Sequence, residues 1–279
     1  MKNKYEKYII LFCIIIVLLI QVFKVYNKES MINDSLQGID IIYWINLDRS
    51  KDRHDEMMQT FKDDAFENIP KQRIIAYDAK NNPTSVFNKL ECETGIQEGH
   101  DGLYGCLLSH LESIKTFSES SYNVALICED DMNLEYKKYW KKTVKQIMNE
   151  APKDWDIIML SYTIVNNEHP YNNWDNVNED YISQLSSSTV AYLINKNGAT
   201  KFTNSTYNKT DDKYHLDPTI NTHSADGYIY LKTKTYAYKY PMFTYKEDSD
   251  STISANHNSI NNNSKKIIIE QYKKKYPDI

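Results

Sequence analysis

Three carboxylates, Glu129, Asp130 and Asp131, stand side by side directly after the apolar run Val-Ala-Leu-Ile-Cys of residues 124–128. Adjacent carboxylates repel, so a strand that ends in three of them needs cations, hydrogen-bond donors or solvent to compensate. A divalent cation does this well. Mg2+ and Mn2+ take oxygen ligands, commonly one or two protein carboxylates with the rest from water and substrate phosphates. Glu129 and Asp131 bracket Asp130, an acid-x-acid spacing that lets one loop touch both a metal and a diphosphate ligand. The competing reading is a solvated acidic turn. The apolar run before the triplet argues against it, because a buried strand aims its end into a crevice. No Walker-type glycine loop and no G-x-G-x-x-G occurs, and with few glycines to wrap a phosphate a bound cation is the simpler diphosphate partner.

The surrounding elements must place that triplet. Ile-Asp-Ile-Ile-Tyr-Trp-Ile from residue 39 reads as a buried strand, followed by an amphipathic helix starting near Ser50. Residues 72–79 read as a second strand. Leu103, Leu107, Leu111, Ile114 and Phe117 fall at helical spacing ahead of the strand that ends in the acids. A polar helix is expected over 135–149, then strands over 155–161 and 188–194 with an exposed linker at 166–180, and a helix from about Asn195. Strands alternating with helices predict an α/β fold with a mostly parallel sheet, whose ligands bind beyond the carboxyl ends of the strands.

Length, 279 residues, suits one large α/β domain with a small appendage, and a net charge of −5 offers no basic field for nucleic acid. Residues 8–23 are nearly all apolar and follow Lys2, Lys4 and Lys7. The expectation is a cytosolic N-terminus (1–7), a signal-anchor helix (8–26), a stem (27–38), a catalytic domain (39–254) and a low-complexity, then basic helical tail (255–279). This is a single-pass type II arrangement with the domain in a lumen or outside the cell. A cleaved signal peptide is the alternative, and no small-x-small site follows the run. Asn-x-Ser/Thr triplets at Asn33, Asn204 and Asn208 fit that side. Cys92 and Cys106 are the expected bridge, with Cys128 a buried thiol; neither thiol spacing nor His partners suggest a zinc site.

Read in order, YWINLDRSKDRHDEM, GLYGCLLSHLESIK, ALICEDDM, WDIIMLS, SSSTVAYLINKNGATKF and ADGYIY resemble glycosyltransferase family 25, which includes lipopolysaccharide sugar transferases and procollagen galactosyltransferases. The resemblance covers about residues 39–254. It implies a GT-A-type, Rossmann-like fold, a nucleotide-sugar donor (most often UDP-galactose), Mn2+ or Mg2+ as cofactor, and transfer with inversion to a glycan or glycoprotein acceptor.

Carried over by block, Asn46, Leu47, Arg49 and Arg53 match the opening motif beside the donor nucleotide, where Arg would meet phosphate or ribose. The alternative for Arg53 is a surface helix charge. Ser109 and His110 match the Leu-Ser-His of the long helix, and His110 reads equally as a core residue. Glu129, Asp130 and Asp131 match the acidic metal motif, with Asp131, then Glu129, as the direct ligands. Residues 187–191 match the segment that approaches the donor sugar. Asp226 is the candidate general base, its alternative a helix cap. A second acid often follows that Asp in the family, and Gly227 stands here instead. A late metal-binding His is matched only loosely, by His257. Two other functions compete: a glycosyltransferase-like module that binds sugars or partners without catalysis, and a metal-dependent phosphohydrolase.

Overall fold

The computed structural model describes residues 12–22, 34–92, 100–164, 173–178, 181–182, 188–246 and 257–277. Its centre is a seven-stranded sheet built from β1 (Ile41–Asn46), β2 (Lys71–Ile75), β3 (Val124–Glu129), β4 (Ile157–Met159), β5 (Trp174–Asn176), β6 (Ala191–Asn195) and β7 (Thr235–Tyr238). Their order across the sheet is β2-β1-β3-β6-β4-β7-β5. β1 runs parallel to β2 and β3, and β4 parallel to β7, while β6 is antiparallel to both its neighbours and β5 is antiparallel to β7. The sheet is therefore mostly parallel, with β6 and β5 reversed. Every residue of β1 is buried, as expected of a strand covered on both faces. β2, at the edge, has no buried residue: Lys71, Arg73 and Ile74 are half-exposed, and Gln72 and Ile75 are exposed.

Helices α1 (Lys51–Thr60), α2 (Asp101–Glu119), α3 (Val144–Glu150), α4 (Lys196–Thr206), α5 (Ala225–Lys232) and α6 (His257–Lys275) flank the sheet. α2 buries Leu107, Leu111, Ile114 and Phe117 completely and packs against α4 and α5. The register Ile45↔Glu129 sets the acid-bearing end of β3 beside the end of β1, so the turns after both strands open on one side of the sheet.

Several expectations change. The helix expected over 135–149 is only α3: Thr143 and Gln146 form a reciprocal capping box that starts it late. Ahead of it, Trp140 is drawn inward, its Nε1 donating to the Met242 carbonyl at 2.7 Å. Within the expected linker, residues 174–176 form the edge strand β5. In the expected stem, Leu36 is buried and Gln37 accepts from the Lys145 amide at 2.7 Å, so the chain is tied down from residue 34. In the tail, α6 joins the core through Ile268 and Tyr272, the latter ring stacking on Tyr139 at 5.2 Å.

Residues 12–22 are helical, with large apolar side chains exposed. Among the described residues no helix is long and apolar enough to cross a membrane; the rest of the expected anchor (8–11, 23–26) lies outside them. The expected Cys92–Cys106 bridge is not formed: neither residue is in a disulfide. Cys92 Sγ lies 3.4 Å from His223 Nε2, whereas Cys106 lies on α2 within reach of Glu129. Cys128 is a buried thiol, as expected.

Candidate active site

Asn46, the last residue of β1, is the hub of the site. Its buried side chain donates from Nδ2 to Asp130 Oδ2 at 2.6 Å and accepts at Oδ1 from Arg73 Nε at 3.0 Å. It thereby joins the ends of β1 and β3 to β2. Arg53, in the first turn of α1, faces inward: its guanidinium pairs with Asp130 and reaches Asp131 Oδ2 at 3.5 Å. The surface-charge alternative for Arg53 is thus excluded. The acidic triplet is not a solvated turn either; Asp130 and Asp131 side chains are 8% and 17% exposed.

Glu129 faces α2, on the other side of the cluster. Its Oε1 accepts from Thr189 Oγ1 at 2.7 Å and lies 3.5 Å from His110 Nε2. Burial alone would raise its pKa, but the His110 ring, the Thr189 hydroxyl and the Arg53 charge hold it below the ordinary value. Asp131 goes the other way. Burial, and then the neighbouring Glu129 charge, push it up to about 7 despite Arg53. Burial likewise raises Asp130 against the pull of Arg53 and Asn46. Asp131 Oδ1 is buried and has no hydrogen-bond partner among the described residues.

A cleft of about 100 Å³ opens beside these groups, lined by Asn46, Leu47, Arg49, Arg53, Glu129 and Asp130 among others. Past Arg49, Tyr77 and Asp78 it continues into a shallower groove of about 730 Å³, a size in the range of small-molecule sites. Arg49 sits at the junction, held by Asp78 at 2.7 Å. Ser109 acts on the backbone: its hydroxyl accepts from the Tyr77 amide at 2.9 Å and donates to the Gly105 carbonyl at 2.6 Å, pinning the loop after β2 to α2. Gly105 permits that approach, since a Cβ there would lie 2.8 Å from the Tyr77 carbonyl oxygen. His110 is fully buried, as a core residue would be, yet its Nε2 has no hydrogen-bond partner among the described residues.

Asp226 stands in the first turn of α5, close enough to Cys106 and Tyr230 for its charge to help raise both. The cap of α5 is Ser224, not Asp226, and Asp226 Oδ1 accepts from the Gly227 amide at 2.8 Å. Gly227 has a packing reason: a Cβ there would lie 2.6 Å from Thr222 Cγ2 and 2.9 Å from Ser224 Oγ. Of the segment 187–191, Ser187 lies outside the described residues; Thr189 reaches the cluster, and the Ser188 carbonyl accepts from Tyr230 at 2.7 Å. The His257 side chain also lies outside them. Sequence reasoning missed Arg73, Thr189 as a specific donor, and Cys106. An Arg amid the apolar half of an edge strand was the available signal for the first.

Residues 39–220 match the family described as Glycosyltransferase family 25 (LPS biosynthesis protein). Curated relatives include procollagen galactosyltransferase 2 of Homo sapiens (30% identical over 174 residues, 59% of this chain and 27% of the relative) and of Mus musculus (28% over 175 residues, 59% and 27%). Procollagen galactosyltransferase 1-A of Xenopus laevis is 28% identical over 184 residues, 60% of this chain and 28% of the relative. The chain thus spans less than a third of the length of these relatives. A crystal structure of mouse xyloside xylosyltransferase 1 covers 73% of the chain and 75% of its own at 10% identity, with a TM-score of 0.29, too low for any argument about fold. The family match extends from the first core strand through the acidic cluster and β6, and on that ground the chain belongs to glycosyltransferase family 25.

Proposed function

We propose that this chain transfers galactose from UDP-galactose to a hydroxyl of a glycan or glycoprotein, with inversion at the anomeric carbon, on a GT-A-type scaffold that uses Mn2+ or Mg2+. The observation that carries the reading is the orphaned, buried carboxylate oxygen of Asp131, next in sequence to Glu129 and Asp130, which line the cleft. A hard divalent cation fits that donor set, with Asp131 and Glu129 as its protein ligands. When bound, such an ion neutralises the charge that grows on the departing diphosphate.

The chain's own residues do the rest. Asn46 fixes Asp130, and Arg53 and Arg49 supply permanent positive charge for donor phosphate or ribose. Ser109 sets the loop that carries Tyr77 and Asp78 along the groove. Asp226 takes the proton from the acceptor hydroxyl as it attacks, a contribution of about 10² to 10⁴ in rate. Galactose and a protein acceptor follow the matched relatives, which are procollagen galactosyltransferases. The apolar run of residues 8–23 behind Lys2, Lys4 and Lys7 is the ground for a signal anchor over 8–26 that would hold the domain on a lumenal or outer membrane face.

The test is release of UDP from UDP-galactose by the full chain in detergent, with and without Mn2+ and with a glycan acceptor. The reading requires cation-dependent transfer that disappears in Asp131→Asn, and in Asp226→Asn with UDP affinity retained. Full turnover in either variant, or in metal-free buffer, contradicts it.

A further inference from the structure

We infer that Cys106, His110 and Glu129 form a separate cation site at the back of the cleft, suited to a borderline or soft divalent ion such as Zn2+ rather than to Mn2+ or Mg2+. Cys106 and His110 are four residues apart on α2, so they share a face, and that face meets the end of β3. One donor atom from each of the three side chains lies within 4.8 Å of the others. The Nε2 of His110 and Oε1 of Glu129 are already 3.5 Å apart. A tetrahedral zinc site with ligand bonds of about 2.0 to 2.3 Å sets its donor atoms roughly 3.3 to 3.6 Å apart, so the His110–Glu129 pair already has the spacing and Cys106 closes by at most about 1.2 Å.

The histidine carries the second, independent observation. Its ring is completely buried and Nε2 lacks a hydrogen-bond partner among the described residues, whereas buried polar groups are ordinarily paired. The other ring nitrogen, Nδ1, lies 3.1 Å from the Tyr192 hydroxyl. With a cation bound, Nδ1–H donation to Tyr192 holds the ring in place and the Nε2 lone pair goes to the metal, which replaces the proton this nitrogen otherwise turns toward Glu129. A sulfur, nitrogen and oxygen donor set favours zinc over the hard ions. All three residues line the cleft, which leaves a fourth position open to water. Glu129 would be shared, so an ion here draws a ligand away from the acidic cluster and opposes donor binding. That consequence rests on the proposed transfer function; binding of the ion does not.

The experiment titrates the reduced, metal-stripped full chain with Co2+ as a spectroscopic stand-in. The expected result is one equivalent bound with a thiolate-to-cobalt charge-transfer band and intense tetrahedral visible bands, displaced by one equivalent of Zn2+. Cys106→Ser abolishes the charge-transfer band, and Tyr192→Phe weakens binding by roughly 10-fold or more. A charge-transfer band that persists in Cys106→Ser, or weak octahedral bands alone in the native chain, overturns the inference. Should Cys106→Ser fail to fold, Zn2+ must slow alkylation of Cys106 in the native chain, and an unchanged rate also overturns it. A chain that binds Co2+ in this way but transfers no sugar refutes only the transfer reading. One that transfers with Mn2+ and shows no thiolate band refutes only this inference.

Discussion

Replacing Asp131 by Asn should stabilise the cation-free protein while removing its response to Mn2+. The native carboxyl is pushed up to about 7, against roughly 3.9 in an unfolded chain. Between those values the native state holds a proton that the unfolded state has released, so stability falls as pH rises from about 4 to about 7. The difference of about 3 units corresponds to roughly 4 kcal/mol at pH 8 for a side chain this well buried, 17% exposed. Asn keeps the shape without the charge, and Arg53 keeps Asp130 as its partner. At about 2 to 4 °C per kcal/mol in a domain of this size, the melting temperature of Asp131→Asn should exceed the native value by roughly 10 °C at pH 8. The two should converge near pH 4. Mn2+ should raise the native melting temperature at pH 8 and leave the variant unmoved. The measurement is a thermal melt followed by circular dichroism in chelator and in Mn2+. A variant that melts at or below the native temperature at pH 8, or that gains equally at pH 4, refutes the assignment of a strained carboxylate.

Three further outcomes follow from the same geometry. Asn46→Ala removes the groups that meet Asp130 and Arg73, and chemical denaturation should show a loss of about 2 to 4 kcal/mol; a loss below about 0.5 kcal/mol would mean Asn46 is no hub. Gly227→Ala places a Cβ 2.6 Å from Thr222 Cγ2 and should cost about 1 to 3 kcal/mol by the same measurement, with Thr222→Ala in the same chain recovering most of it. Asp217 is held well below the usual carboxylate range by hydrogen bonds from Lys232 and then Thr219. Its contribution is therefore present above about pH 4 and lost as pH falls through its native value, so Asp217→Asn should lower the melting temperature at pH 7 and progressively less toward pH 2.

Much of this site is legible in the amino-acid sequence. The apolar run into Glu129-Asp130-Asp131 told of a buried strand aimed at a crevice, because burial on both faces leaves a continuous apolar signature. The periodicity of α2 was equally plain. Strand direction was not: Ala191–Asn195 is as apolar as its neighbours, and nothing in such a run encodes that β6 lies reversed between β3 and β4. Inward-facing Arg53 could not be told from a surface charge, since its partners are 77 and 78 residues away in sequence. The Cys106–His110–Glu129 grouping escaped notice for the same reason, with one ligand on a strand and two on a helix. The Cys92–Cys106 pairing rested on parity of cysteines; in the fold Cys92 meets His223, while Cys106 lies near His110 and Glu129.

The central claim is that the acidic end of β3 holds a cation that in turn holds the donor's diphosphate. Calorimetric titration of UDP-galactose into the full chain, in Mn2+ and in chelator, tests it most directly. The account predicts at least ~10-fold tighter binding with Mn2+, about 1.4 kcal/mol of coupling, and no such gain in Asp131→Asn. Equal affinity in both buffers, or a gain that survives in Asp131→Asn, would contradict it.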